Sequence, residues 1–561
     1  MLSPMNDIPG SHAFDAAIAA AFSGAGPAED DARAIGYVCQ IAGGRGELLL
    51  DRAALDGLRA HRDPVLAMAG QVGGQVKVRV GATWLIATTR ALRLADDRGE
   101  AVIAEVDFLG EGDEERLTGR MQRFRRGVTS YPIPGARVFA VDGHELREIY
   151  AARGRAAIEI GTVHPSRDVR ASLYVDAMLG KHFALLGSTG TGKSTAAALI
   201  LHRICTLAPQ GHIVMIDPHG EYGAAFGEAG ALFDVSNLQM PYWLMNFEEH
   251  CEVFVTSTGA ARQVDADILA KCLLAAKAKS RAGQEIAKLT VDAPIPYLLS
   301  DLMQILQQEM GKMDRAGDTS PYLRLKNKID EVRADPRYGF MFSGMLVGDT
   351  MAAFVQRIFR LPGDGRPISI IDVSGVPNEI TSVVVAVLAR MVFDFAIWSR
   401  GEPQRPILLV CEEAHRYVPA DPAARGSVAR ILGRIAKEGR KYGVALGLVT
   451  QRPSDLSEGV LSQCGTIISM RLNNDRDQAF VRAAMPEGAR GFLDALPALR
   501  NREAIVCGEG VAIPIRVAFD TLEEGRRPAS DDPVFSALWR ETGGEEAMIA
   551  RTVQRWRAQG R

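Results

Sequence analysis

Residues 187–194 read Gly-Ser-Thr-Gly-Thr-Gly-Lys-Ser, a spacing of glycines, lysine and hydroxyl that suits phosphate chemistry. Glycines let backbone N–H groups turn inward around a β-phosphate, and a helix beginning there adds its positive end. Gly187, Ser188, Thr189, Gly190, Thr191 and Gly192 would form the cradle. Lys193 would bridge the β- and γ-phosphates of ATP, Ser194 would ligate Mg2+, and Thr195 opens the helix. Both flanks agree: apolar Phe183–Leu186 precedes the loop and the Ala-rich segment Thr195–Ile204 follows it. A glycine-rich turn matching by chance would not carry both.

Hydrolysis also needs acids, one for the metal and one for the attacking water. Three strand-like runs end in an acid: Ile213–Asp217, Ile368–Asp372 and Ile407–Glu413. The third ends in two. Glu412 is assigned to the Mg2+ water shell and Glu413 to polarising the water, the alternative being solvated acids at a helix start. Asp217 and Asp372 read equally as site acids or as turn residues. Gln451 follows the apolar run Val444–Val449, where a polar side chain at a strand's carboxyl end could sense the γ-phosphate or close a turn. Arg440, in Lys437–Gly443, reads as an arginine finger or as a solvated helix end.

These residues need a scaffold. The chain has 561 residues, enough for several domains. Its 65 Lys+Arg against 68 Asp+Glu exclude a polybasic binder, though not a local basic channel. Seven dispersed cysteines without a C-x-x-C pair point away from a disulfide framework or zinc ribbon, and towards a reducing, cytoplasmic setting. The most apolar stretch, Val383–Ala389, is followed by Arg390 and Asp394 and is too short to span a bilayer, so no membrane attachment is expected.

Along the chain, residues 1–30 read as a flexible segment. Residues 31–168 carry short period-two runs such as Gln75–Val80 and read as a small β-barrel, interrupted by a basic, helix-like insert over Arg116–Arg126. Residues 169–525 alternate strands with helices, the signature of an α/β domain with a mostly parallel sheet. The expected strands are His182–Leu186, His212–Ile216, Ile368–Val373, Ile407–Cys411, Val444–Val449 and Thr466–Met470. A helical insertion spans about 245–360, with bases at Lys277, Lys279, Arg281, Lys288, Arg324, Lys326 and Lys328. Residues 526–561 form a helical tail.

Taken in order, the loop GSTGTGKST, IDPHGEY at Ile216–Tyr222, EEAHRYVP at Glu412–Pro419, EGRKYG at Glu438–Gly443, TQRPS at Thr450–Ser454 and LSQCGTIISMRLNN at Leu461–Asn474 resemble the HerA branch of the HerA/FtsK superfamily of hexameric DNA-pumping ATPases. The resemblance covers roughly residues 30–525. It implies a RecA-like P-loop ATPase core behind an N-terminal HAS-type barrel. It makes Asp217 a nucleotide-site acid, Glu413 the catalytic glutamate and Gln451 the γ-phosphate sensor. It implies that Lys181 and Arg440 reach the neighbouring subunit's nucleotide. Lys181 departs from the family if the family residue is Arg, since Lys cannot form a bidentate fork to phosphate.

The resemblance therefore implies a homo-hexameric, ATP- and Mg2+-dependent motor with double-stranded DNA in its central channel. Its partner would be a nuclease, or a sirtuin- or toxin-like effector, in DNA end processing or antiphage defence. The insertion bases and Arg116–Arg126 are candidates for lining the channel. Two other readings stay open: a nucleotide-gated ring scaffold that regulates an effector without pumping DNA, and a secretion or conjugation ATPase.

Overall fold

In the computed structural model, residues 34–95, 99–312, 318–485, 490–529, 534–540 and 546–558 are described. The segment 1–30 expected to be flexible lies outside them. The chain divides into two compact units, Met1–Ile149 and Tyr150–Arg561.

The first unit is built on seven antiparallel strands: β1 (Ala34–Ala42), β2 (Arg45–Asp51), β3 (Gln75–Val80), β4 (Thr83–Leu94), β5 (Ala101–Glu114), β6 (Met121–Arg126) and β7 (Arg137–Ala140). Strand β2 pairs with β5, which closes β1, β2, β5, β4, β3 and β7 into a six-stranded barrel with β6 on its rim. Period-two alternation turns Leu48, Leu50, Val76, Val78, Leu85 and Val106 inward. Arg116–Arg126 is not a helical insert. Its second half is β6, on β5, with Met121 and Phe124 buried. The register slips between Glu111 and Asp113, and Arg123 has φ +54°. That bulge spaces the two buried residues by three, which imitates a helical period.

The second unit carries eleven strands: β8 (Ala157–Val163), β9 (Arg170–Tyr174), β10 (Phe183–Leu186), β11 (Ile213–Asp217), β12 (Gly230–Phe233), β13 (Ile368–Asp372), β14 (Ile407–Cys411), β15 (Val444–Thr450), β16 (Thr466–Met470), β17 (Glu503–Gly508) and β18 (Ile515–Phe519). They order as β12-β13-β11-β14-β15-β10-β16-β17-β18-β8-β9. The first seven positions are parallel, and β17, β18, β8 and β9 extend the sheet antiparallel. The boundary near residue 168 moves accordingly to about 150, because β8 and β9 hydrogen-bond into this sheet through β18 rather than into the barrel.

Helix α1 (Lys193–Leu207) follows β10. Helices α2 (Phe247–Phe254), α3 (Gly259–Lys279), α4 (Leu299–Gly311), α5 (Ser320–Ala334) and α6 (Met351–Phe359) make the insertion. Helix α7 (Asn378–Trp398) and helix α8 (Ser427–Tyr442) flank β14. The apolar run Val383–Ala389 belongs to a longer element than its composition suggests: α7 has 21 residues, enough in length and apolar character to cross a membrane. Those seven residues are buried in the core, and Arg390 on the same helix donates to Glu249 at 2.9 Å.

The insertion bases mostly serve the fold. Arg324 grips buried Asp265 at 2.7 Å, Lys279 pairs with Asp301 at 2.9 Å and Lys328 with Glu331 at 2.8 Å. Lys277 is fully buried and donates to the carbonyls of Val291 and Ala293. Lys277 and Arg324 are poor channel candidates, because each is committed to a buried partner.

His250 sits beside them, enclosed by α2 and Tyr297. Its Nδ1–H donates to Asn246 O at 2.6 Å, and Nε2 accepts from Tyr297 Oη at 2.9 Å. Burial, reinforced by the charge of Lys277, lowers it to about 3; Arg390 and Glu249 complete the charged surroundings. An unfolded histidine takes its proton near pH 6.5. The unfolded state therefore binds more protons between the two values, and stability falls with pH by about 1.4 kcal/mol per unit below that point. We expect the melting temperature to fall between pH 7 and pH 5. In His250→Gln the fall should be shallower from a lower starting value, by calorimetry across that range.

Candidate nucleotide site

Strand β10 lies between β15 and β16 and delivers its loop at the carboxyl edge of the parallel sheet. Gly190 and Gly192 adopt φ +77° and +94°, values a β-carbon disfavours, which is how the loop turns its N–H groups inward. The neighbouring strands hold it. Gly187 N donates to Thr450 O at 3.3 Å, Ser188 N to Arg471 O at 3.0 Å, and Asn473 N to Ser188 Oγ at 3.3 Å. Thr191 Oγ1 donates back to Ser188 O at 2.8 Å.

Lys193 is buried, and its Nζ lies 3.9 Å from Glu412 Oε1. Tyr222, fully buried, donates its hydroxyl to Glu412 Oε2 at 2.9 Å. Burial raises Glu412 to about 7, although Lys193 and Tyr222 pull the other way. Ser194 opens the first turn of α1, near enough to Glu221 and Tyr222 that its hydroxyl draws both groups' pKa values downward against burial. These hydroxyl and carboxylate oxygens are the donors a hard cation such as Mg2+ takes.

Glu413 adopts φ +51° and ψ +45°, a left-handed conformation costing about 1–3 kcal/mol in a non-glycine residue and characteristic of working sites. Its Oε1 accepts from Gln451 Nε2 at 2.8 Å, with His219 Nε2 3.9 Å away. Its Oε2 is buried without a full hydrogen bond. The nearest donor atom is His415 Nδ1 at 3.2 Å, which lies closer, at 2.9 Å, to Thr450 Oγ1. Burial pushes Glu413 up, but His415, Lys193 and His219 outweigh it and hold the carboxyl below its ordinary value. Gln451 Oε1 in turn accepts from Thr189 Oγ1. One amide thus joins the phosphate loop to the glutamate.

Not every expected residue faces this space. Asp217 is fully buried and accepts from the N–H groups of His219, Gly220 and Tyr222 at 2.9–3.1 Å. These bonds shape the loop that carries His219, Glu221 and Tyr222. Asp372 accepts from Ser374 N at 2.8 Å and closes a turn. Lys181 and Arg440 lie at the opposite, amino edge of the sheet, two residues before β10 and four before β15. Lys181 precedes the first residue of β10 and the loop follows its last, so the length of the strand separates them. It pairs with Glu509, and Arg440 is exposed. Buried His182 pins this edge: Nδ1 accepts from Leu446 N at 3.0 Å and Nε2–H donates to Ala436 O of α8 at 3.1 Å.

His219, Glu221, Tyr222 and His415 were not singled out from the sequence. The motifs IDPHGEY and EEAHRYVP contain them, but only the fold shows which members turn towards the loop.

Residues 158–392 match the family model described as the central domain of helicase HerA. The chain is 27% identical over 489 residues to the DNA double-strand break repair helicase HerA of Pyrococcus furiosus, covering 82% of each protein. It is 26% identical over 433 residues to the protein of the same name from Saccharolobus solfataricus, covering 74% of this chain and 78% of that one. Among solved structures, VirB4 of Thermoanaerobacter pseudethanolicus aligns with TM-score 0.47 at 15% identity, covering 67% of this chain and 99% of the other.

Proposed function

Because the chain is a HerA-like ATPase, we propose that it hydrolyses ATP with Mg2+ to drive double-stranded DNA through a ring of six copies. In this reading it works in the cytoplasm with a nuclease or another effector, in DNA end processing or antiphage defence. The observation that carries the reading is the division of the site between the two edges of one sheet. The loop, Lys193, Glu413 and Gln451 gather at the carboxyl edge, and exposed Arg440 and half-buried, Glu509-paired Lys181 stand at the other.

The loop N–H groups and Lys193 would hold the β- and γ-phosphates. Ser194 and Glu412 would hold Mg2+, which when bound neutralises phosphate charge. Glu413 would take a proton from the attacking water on Oε2, the oxygen without a full hydrogen bond. Gln451 would orient that water while touching the loop through Thr189. Arg440 and Lys181 cannot reach their own nucleotide, so they would act on a neighbouring copy. Head-to-tail contacts of that kind close into rings.

A DNA motor should hydrolyse ATP faster when DNA occupies its channel. We expect stimulation by linear duplex DNA of at least several-fold, lost in Lys193→Ala. DNA binding should weaken steeply with salt, because a non-specific channel grips phosphates. No stimulation, together with no DNA binding at low salt, would overturn the motor and leave the gated scaffold.

A further inference from the structure

Arg502 is a residue that neither the motifs nor the chemistry above uses. It precedes β17, two strands from β10, and adopts φ +65°. A non-glycine residue pays strain for that conformation and keeps it only where its surroundings enforce it. Here two backbone hydrogen bonds do so. Arg502 N donates to Thr191 O of the phosphate loop at 3.0 Å, and Phe519 N donates to Arg502 O at 2.9 Å.

The side chain leaves this anchor along Gly192. A β-carbon on Gly192 would stand 3.3 Å from Arg502 Cγ, so the glycine makes room for the arginine stem. The guanidinium is exposed, donates Nη1–H to Thr521 Oγ1 at 2.6 Å, and has no carboxylate partner among the described residues. A bare cation therefore borders a loop built to collect negative charge.

The topology fixes which end of a bound nucleotide it meets. Gln451 and Glu413 follow β15 and β14, on one side of β10, and engage the loop through Thr189. Arg502 comes from β17, on the other side, and engages Thr191 and Gly192. With the γ-phosphate at the glutamate, the opposite flank receives the nucleoside end.

We propose that Arg502 is a nucleotide-binding residue acting within its own subunit, its guanidinium holding the α-phosphate and ribose of the bound nucleoside triphosphate. The proposal rests on the ATPase reading and adds the contact that separates a nucleotide from a bare polyphosphate. Guanidinium matches phosphate oxygens in a planar, forked geometry that Lys lacks.

The test compares wild type, Arg502→Gly and Arg502→Lys in the full chain. Glycine accepts φ +65° without strain, so Arg502→Gly removes the side chain and keeps the backbone. We expect it to bind mant-ADP about tenfold or more weakly, the effect of losing one charge-assisted hydrogen bond. KM for ATP should rise in parallel and kcat should stay within about twofold, the pattern of a lost ground-state contact. Competition by inorganic pyrophosphate should match wild type, and Arg502→Lys should recover part of the affinity. Unchanged mant-ADP binding overturns the proposal. Equal weakening of mant-ADP and pyrophosphate, or a lowered melting temperature, overturns it in favour of a loop-packing role. A wild-type protein that binds no mant-ADP contradicts the ATPase reading itself.

Discussion

Glu413→Gln should bind ATP as tightly as wild type and hydrolyse it about 10²–10⁴-fold more slowly, the range of a lost general base. The amide is isosteric and can still pair with Gln451 Nε2, so the link between loop and residue 413 survives in shape. What disappears is the proton acceptor at Oε2, the buried oxygen that no neighbour satisfies. The carboxylate is built to be ionised: His415, Lys193 and His219 hold it below its ordinary value against burial. Adjacent Glu412 is pushed the other way by burial, to about 7. Two consecutive acids are thereby separated in character, and the ionised one is the candidate base. Steady-state ATPase rates with nucleotide-binding titrations check this. Turnover near the wild-type level in Glu413→Gln would remove the residue from the chemistry.

Arg440→Ala should lose about 10³–10⁵-fold in turnover while keeping ATP affinity and oligomeric state, if it acts as an arginine finger. The residue is exposed near the end of α8, with no ion pair among the described residues, at the edge of the sheet opposite the phosphate loop. Its removal should cost the isolated subunit little, since no side-chain hydrogen bond or ion pair among the described residues is broken. A large kinetic loss with no change in melting temperature therefore points to the neighbouring subunit's nucleotide. Lys181 at the same edge is expected to matter less. It is engaged by Glu509, although a surface pair of this kind is worth only about 0–1 kcal/mol and yields easily. Rates, affinity and mass measured together separate these outcomes.

The glycine-rich loop, the paired glutamates and Gln451 that gather at the candidate site were legible in the sequence because each sits in a contiguous motif at a strand end. The six expected strands of the parallel sheet match β10, β11, β13, β14, β15 and β16 to within about a residue at each end. Their apolar runs are short and bounded, which is what burial on both faces requires. The antiparallel extension was not legible. Strands β17 and β18 pair with the sheet edge through contacts that no local period encodes, and β8 looks from its alternation like a continuation of the barrel. The bulge at Arg123 disguised β6. Asp217 read equally as a site acid or a turn residue, and only the resemblance made it a nucleotide-site acid; the three N–H groups it accepts from its own loop depend on folded backbone and could not be read from its spacing. Arg502 carries no sequence signal at all: its significance lies in a backbone angle and in the space left by Gly192.

The central claim, that each nucleotide is completed by a neighbouring copy, is tested most directly by mixing two inactive variants. Lys193→Ala spoils the loop and keeps Arg440; Arg440→Ala keeps the loop and lacks the cation. Dissociated and reassembled in equal amounts, they should form an intact pairing at about a quarter of their seams, as random head-to-tail assembly requires. The account predicts ATPase activity in the mixture well above the sum of the two variants alone. Activity no greater than that sum, from rings shown by mass to contain both variants, would contradict it.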